Sequence, residues 1–154
     1  FTPTLLISVE PEIINHTDES YHVQCDGDYV ITKKSIQEKV QQFHSGLIIR
    51  TIPNQESKII RNYDKVRAPF LTNQAIDYIA SKDVQHLLVD LPSVDKANDE
   101  GKLGNHKKFF KYGKTISELL FIEDWIRDGF GFLQIQIPNW SLDAAPSRPI
   151  FYQV

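Results

Sequence analysis

The sequence has no methionine and a single cysteine, Cys25. One thiol cannot form an internal disulfide and cannot build a thiolate metal cluster, so a reducing, cytoplasmic setting is expected. No apolar run approaches the roughly 20 residues that span a bilayer, and no basic stretch with a cleavage site opens the chain. Positive charge is not in excess: 17 Lys and Arg face 20 Asp and Glu, a formal net charge of −3. Nucleic acid is therefore offered no basic footprint. The glycine-rich dinucleotide fingerprint and the P-loop are missing, and Ser93 lies in no G-x-S-x-G elbow that would make it a nucleophile.

What is present fits a soluble globular domain. Hydrophobic residues make up 41% and charged residues 24% of the 154, enough for one real core. With no repeat, low-complexity tract or linker, residues 1–154 read as a single domain. Phe1 leads straight into an apolar strand, whereas termini usually fray, so the chain is expected to be part of something longer.

Thr4–Val9 reads as a strand. Pro11–Asp28 is polar, and His16, Asp18 and His22 within it read as solvated rather than ligating. After a short extended piece, Tyr29–Thr32, Thr32 can cap a helix running to about Phe43, with Ile36, Val40 and Phe43 as its buried stripe. His44 would then sit at the helix end, where a cation suits the dipole. Leu47–Ile52 reads as a strand covered on both faces. Asn54–Phe70 is a long loop with four cations, Lys58, Arg61, Lys65 and Arg67, read as a solvated surface or a substrate-side loop. Thr72 caps the next helix, whose apolar face is Ala75, Ile76, Ile79 and Ala80, and His86–Leu91 is the strand after it.

Strand, helix and strand in that order predict a parallel crossover. Ligands then gather beyond the C-terminal strand ends, which places Asp90, Ser93 and Asp95 near any site and His86 at the opposite end. Further on, Asn105–Phe110 predicts a short helix stopped by Gly113, and Thr115 opens another element. Phe130–Ile137 alternates as a strand with one wet side, and Ile150–Val154 can close the fold. Trp125 and Trp140 read as core or interface.

His106 and Glu118 are the candidates for chemistry. Neutral imidazole with carboxylate suits zinc, manganese or iron. On one unbroken helix their twelve-residue separation would leave them about 120° apart, but a turn at Gly113 can bring them together. A surface histidine and a helix-start glutamate fit the spacing equally, and a catalytic centre needs a third ligand and an open position.

Taken together, HLLVDLPSVDKANDEGKLGNHKKFF, ISELLFIEDWIRDG and DAAPSRPIFY resemble the C-terminal part of the cyclase family, the kynurenine formamidase-like metal-dependent hydrolases. The opening TLLISVEPE and the GLIIRTIPN strand are similar to bacterial members, so the resemblance covers nearly the whole chain. It implies an α/β fold of the swivelling β/β/α type, a mixed sheet with flanking helices, here lacking its N-terminal part. It also implies a divalent metal, zinc or manganese and sometimes two ions, and hydrolysis of a small-molecule amide such as the formamide of N-formylkynurenine. Homo-oligomers are common in the family. By position, His106 and Glu118 match the C-terminal metal-binding pair, with His106 also a catalytic candidate. Asp90, Ser93 and Asp95 match the loop beside that site, and Arg148 the arginine of the closing turn. The family's main signature, H-x-G-T-H-x-D-x-P-x-H, has no counterpart in this sequence. The resemblance thus points to a hydrolase with little activity in this chain alone, or to a non-catalytic relative that binds a ligand or supports oligomerisation.

Overall fold

A computed structural model describes residues 1–154, except for the side chain of Lys65. Its centre is β1, Thr2–Val9, which pairs in parallel with β4, Gly46–Thr51. Every residue of β4 is buried, the polar Arg50 and Thr51 included, as expected of a strand covered on both faces. Gly46 is required there, because a Cβ would collide with the side chain of Thr4, its partner in register. Beyond β4 lie β6, His86–Val89, and β7, Thr115–Ser117, both parallel. On the other side β8, Gly129–Gln136, and β9, Arg148–Gln153, run antiparallel. The sheet order is β7-β6-β4-β1-β8-β9.

Alternation along the strands divides the core in two. Ile7, Val9, Leu47, Ile49, Leu87 and Val89 face the helices α1 (Lys33–Lys39), α2 (Asn73–Ala80) and α3 (Gly104–Phe110). Leu6, Ile48, Leu88 and Leu133 face the other way, against Ile122. The Thr32 and Thr72 hydroxyls accept hydrogen bonds from the Ser35 and Ala75 amides at 3.1 and 3.0 Å, caps worth about 1 kcal/mol each.

Helix α1 stops a turn short of the predicted Phe43. Val40 is already extended, although Val40 and Phe43 still pack on the core. His44 therefore does not end the helix; its ring lies 4.8 Å from that of Phe130. A second sheet has three short strands, β2 (Glu12–Ile13), β3 (Tyr29–Ile31) and β5 (Phe70–Leu71), of which only β3 was expected, as the extended piece Tyr29–Thr32. It carries a small core of Ile14, Tyr21, Val30 and Phe70. The long 54–70 loop holds two 3-10 turns, Glu56–Ile60 and Tyr63–Lys65. Trp125 and Trp140 are 76% and 57% exposed, so neither belongs to the core. Among the described residues, no helix is long and apolar enough to cross a membrane.

Candidate metal centre

The chain leaves β6 at Val89 and crosses Asp90–Asp95 before α3 begins at Gly104. After α3, Gly113 adopts φ +68° and turns the backbone into β7, whose end delivers Glu118. His106, near the start of α3, and Glu118, just past the end of β7, therefore meet at the C-terminal end of the sheet. His106 Nε2 lies 3.2 Å from Glu118 Oε1. The same carboxylate oxygen accepts the Val94 amide at 2.8 Å, which fixes its direction.

Behind the imidazole stands Asp95. Its Oδ2 accepts from His106 Nδ1 at 2.7 Å and from the His106 amide at 3.1 Å. Its Oδ1 accepts from the Tyr21 hydroxyl and from the Asn105 amide, both at 2.7 Å. Because Asp95 only accepts when ionised, Nδ1 carries the proton and the lone pair of a neutral ring lies on Nε2. Burial raises the pKa of Asp95, but the hydrogen bonds from His106, Asn105 and Tyr21 outweigh it, and the net shift is downward. Burial likewise opposes charge on His106, yet its bonds to Asp95 and Glu118 lift its pKa to about 9. Tyr21 is raised, by burial first and then by Asp95.

The other predicted residues divide. The Ser93 hydroxyl accepts the Asp95 amide at 3.0 Å and so shapes the loop that presents Asp95. Asp90 is buried beside the C-terminal end of β4, where it accepts from the Thr51 amide at 2.9 Å and from Lys58 Nζ at 2.7 Å. Lys58, read as a solvated loop cation, is thus a buried ion-pair partner that pins the loop to the sheet. Lys65 of the same cationic set has a side chain outside the described residues. Arg148 is exposed at the start of β9. It lines, with Glu118, a cavity of about 500 Å³ on the sheet face away from the helices. Leu119, Leu120, Ile122, Ile126 and Leu133 supply apolar wall. Tyr21 escaped the sequence reading, and Lys58 entered it only as one cation of a solvated or substrate-side loop. Each sits in a polar segment without periodicity, and its partner lies 74 or 32 residues away.

Backbone strain collects here as well. Among the described residues, the three non-glycines with positive φ are Glu100, Leu103 and Leu119, at +60°, +47° and +59°. All flank α3 or Glu118, and such strain tends to cluster at functional sites.

The donor set fits one wall of a metal site. Two ligands at about 2.0–2.1 Å from one tetrahedral ion lie roughly 3.3 Å apart, close to the 3.2 Å between Nε2 and Oε1. A carboxylate on the far ring nitrogen is the usual support of a ligating histidine. Among the described residues, however, no group of three or more His, Cys, Asp or Glu side chains is arranged to hold an ion.

No protein-family model matches the chain, and no curated protein does. Solved structures do match. A potential metal-dependent hydrolase with cyclase activity aligns at TM-score 0.67 and 19% identity, over 97% of this chain and 64% of that one. A predicted metal-dependent hydrolase from Bacillus stearothermophilus aligns at 0.65 and 20%, over 97% and 62%. Isatin hydrolase A from Labrenzia aggregata, bound to benzyl benzoate, aligns at 0.55 and 9%, over 97% and 59%. The chain therefore shares the cyclase-like α/β fold of those structures and spans under two thirds of their length.

Proposed function

We propose that the chain forms one wall of the metal centre of an amide hydrolase, with His106 Nε2 and Glu118 Oε1 holding a divalent ion, zinc or manganese. The observation that carries this reading is their 3.2 Å separation, with Asp95 holding the proton on the far ring nitrogen. When bound, such an ion polarises a carbonyl and makes water acidic enough to lose a proton near pH 7. The chain's own residues do the rest of what this wall requires. Asp95, itself held by Tyr21 and two backbone amides, keeps the imidazole in the ligating tautomer. The Val94 amide aims the Glu118 carboxylate at the same point. The cavity beside Glu118, apolar along Leu119, Leu120, Ile122 and Leu133 and polar along Ser147 and Arg148, takes the body of a substrate. With the resemblance to kynurenine formamidase-like hydrolases, the substrate class is a small amide, an aryl formamide foremost, as in tryptophan catabolism. A cytoplasmic homo-oligomer without nucleic-acid or membrane partners belongs to the same proposal.

The donor set also favours a second reading. With two ligands in the described residues and no third, the chain alone hydrolyses little, and it can serve as a ligand-binding or oligomerisation module without turnover. Zinc titration followed by metal analysis tests the centre. His106→Ala and Glu118→Ala are each expected to weaken zinc binding at least tenfold, about 1.4 kcal/mol or more. Full metal occupancy in both variants would overturn the assignment.

A further inference from the structure

Leu119 follows Glu118 and holds a left-handed backbone, φ +59°. The chain needs that bend: the Leu119 amide donates to Leu91 O at 2.8 Å and the Leu120 amide to Val89 O at 3.2 Å, which ties the segment back over β6. Glycine adopts this conformation without strain and asparagine tolerates it, whereas a leucine is disfavoured there. Burial does not compensate, because the Leu119 side chain is 64% exposed. The fold therefore gives no reason for leucine at this position. Leu103 shares the conformation and is half exposed, but it opens α3 and does not line the cavity beside Glu118. Leu119 does line it, one residue from the carboxylate at its edge, together with Leu120, Ile122, Ile126 and Leu133.

We infer that Leu119 is a specificity-determining residue: its side chain contacts the apolar body of the amide whose carbonyl lies at Glu118. The strain is kept because the side chain is buried only when that ligand is present. The inference rests on the reading of His106 and Glu118 as the reacting end of the site, and adds which group of the substrate is selected and by what. Leu119 prefers an aryl or branched apolar group directly adjoining the amide and gives nothing to formamide itself.

The test uses the 154-residue chain with zinc, formanilide as the apolar probe and formamide as the bare one. Leu119→Gly and Leu119→Asn relieve the backbone, so both are expected to unfold at a higher temperature than the parent. Both should bind zinc as the parent does and bind formanilide roughly tenfold or more weakly, the worth of one buried leucine side chain. Formamide binding should not change. Unchanged formanilide binding in the variants, no formanilide binding by the parent, or a lowered unfolding temperature in Leu119→Gly would each overturn the role of Leu119 while leaving the metal reading intact. Failure of zinc to bind the parent would instead overturn the metal reading, and the melting and formanilide results would still decide whether Leu119 selects an apolar ligand.

Discussion

The two ends of β6 treat ionisable groups in opposite ways. At its C-terminal end the buried groups face opposite charge. Asp90 meets Lys58 at 2.7 Å, and Asp95 and Glu118 hold His106 from either side. At its N-terminal end the direct hydrogen-bond partners are neutral, and the one carboxylate that acts on Lys114, Asp83, does not offset its burial. His86 Nδ1 lies 2.6 Å from the Thr115 hydroxyl, and Lys114 Nζ donates to the carbonyls of Ala80 and Lys82, both at 2.6 Å. Burial lowers the pKa of both His86 and Lys114, whereas the carboxylates raise that of His106. One strand thus separates a histidine stabilised in its charged form from one stabilised in its neutral form. The end that concentrates charge is the end where parallel sheets place ligands.

If that contrast is real, the largest effect comes from Asp95. Asp95→Ala strips the acceptor from the Tyr21 hydroxyl, the His106 ring and two backbone amides at once. Removing one member of a buried charged set typically costs about 3–5 kcal/mol, and urea unfolding at pH 7 should show a loss of that order. A loss under about 0.5 kcal/mol, the size of an ordinary surface change, would break the comparison.

Next in size is the pH dependence of the metal-free protein. The folded pKa of His106 is raised, so its contribution is fully present below about 6.5 and is lost as pH rises through about 9. The shift corresponds to about 3 kcal/mol. Unfolding free energies between pH 6 and 10 should fall over this window in the parent. They should fall much less in His106→Gln, which cannot titrate. Zinc should shift the window, because only the neutral ring ligates.

Much of this frame was legible in the residues. The unbroken GLIIRT run named β4, and the hydroxyls of Thr32 and Thr72 named two helix starts. The alternation of Leu133, Ile135 and Ile137 named the dry face of β8 for the first two, whereas Ile137 lies past the end of the strand and is exposed. These are local signals, set by neighbours a few positions away. The site was only half legible. A turn at Gly113 permitted His106 and Glu118 to meet, but nothing in a twelve-residue spacing required it. What closes the gap is the Val94 amide on Glu118 and Asp95 on His106, contacts that exist only once β6, α3 and β7 have packed. Tyr21 was illegible for the same reason. Its loop is polar at most positions, and only the small sheet of β2, β3 and β5 carries it to Asp95. The overlong α1 reflects the opposite error, in which a helical stripe through Val40 and Phe43 survives as packing after the helix itself has ended.

The smallest effect belongs to the other end of β6. The folded pKa of His86 is lowered by burial, so the sign reverses. Stability is intact above about 6.5 and is lost as pH falls through that value, where the unfolded chain takes up the proton first. His86→Gln keeps a polar group near Thr115 and removes the titration. At pH 8 its unfolding temperature should match that of the parent within the effect of about 1 kcal/mol. At pH 5 it should gain on the parent, because the parent alone then carries the penalty of charging a half-buried ring. Other groups titrate over the same range, but they do so in both proteins, so the difference between the two melting curves isolates His86. A difference that stays flat from pH 8 to pH 5, or grows in the parent's favour, would mean that this histidine is already charged in the fold. The two ends of the strand would then differ in their partners but not in the state of the ring.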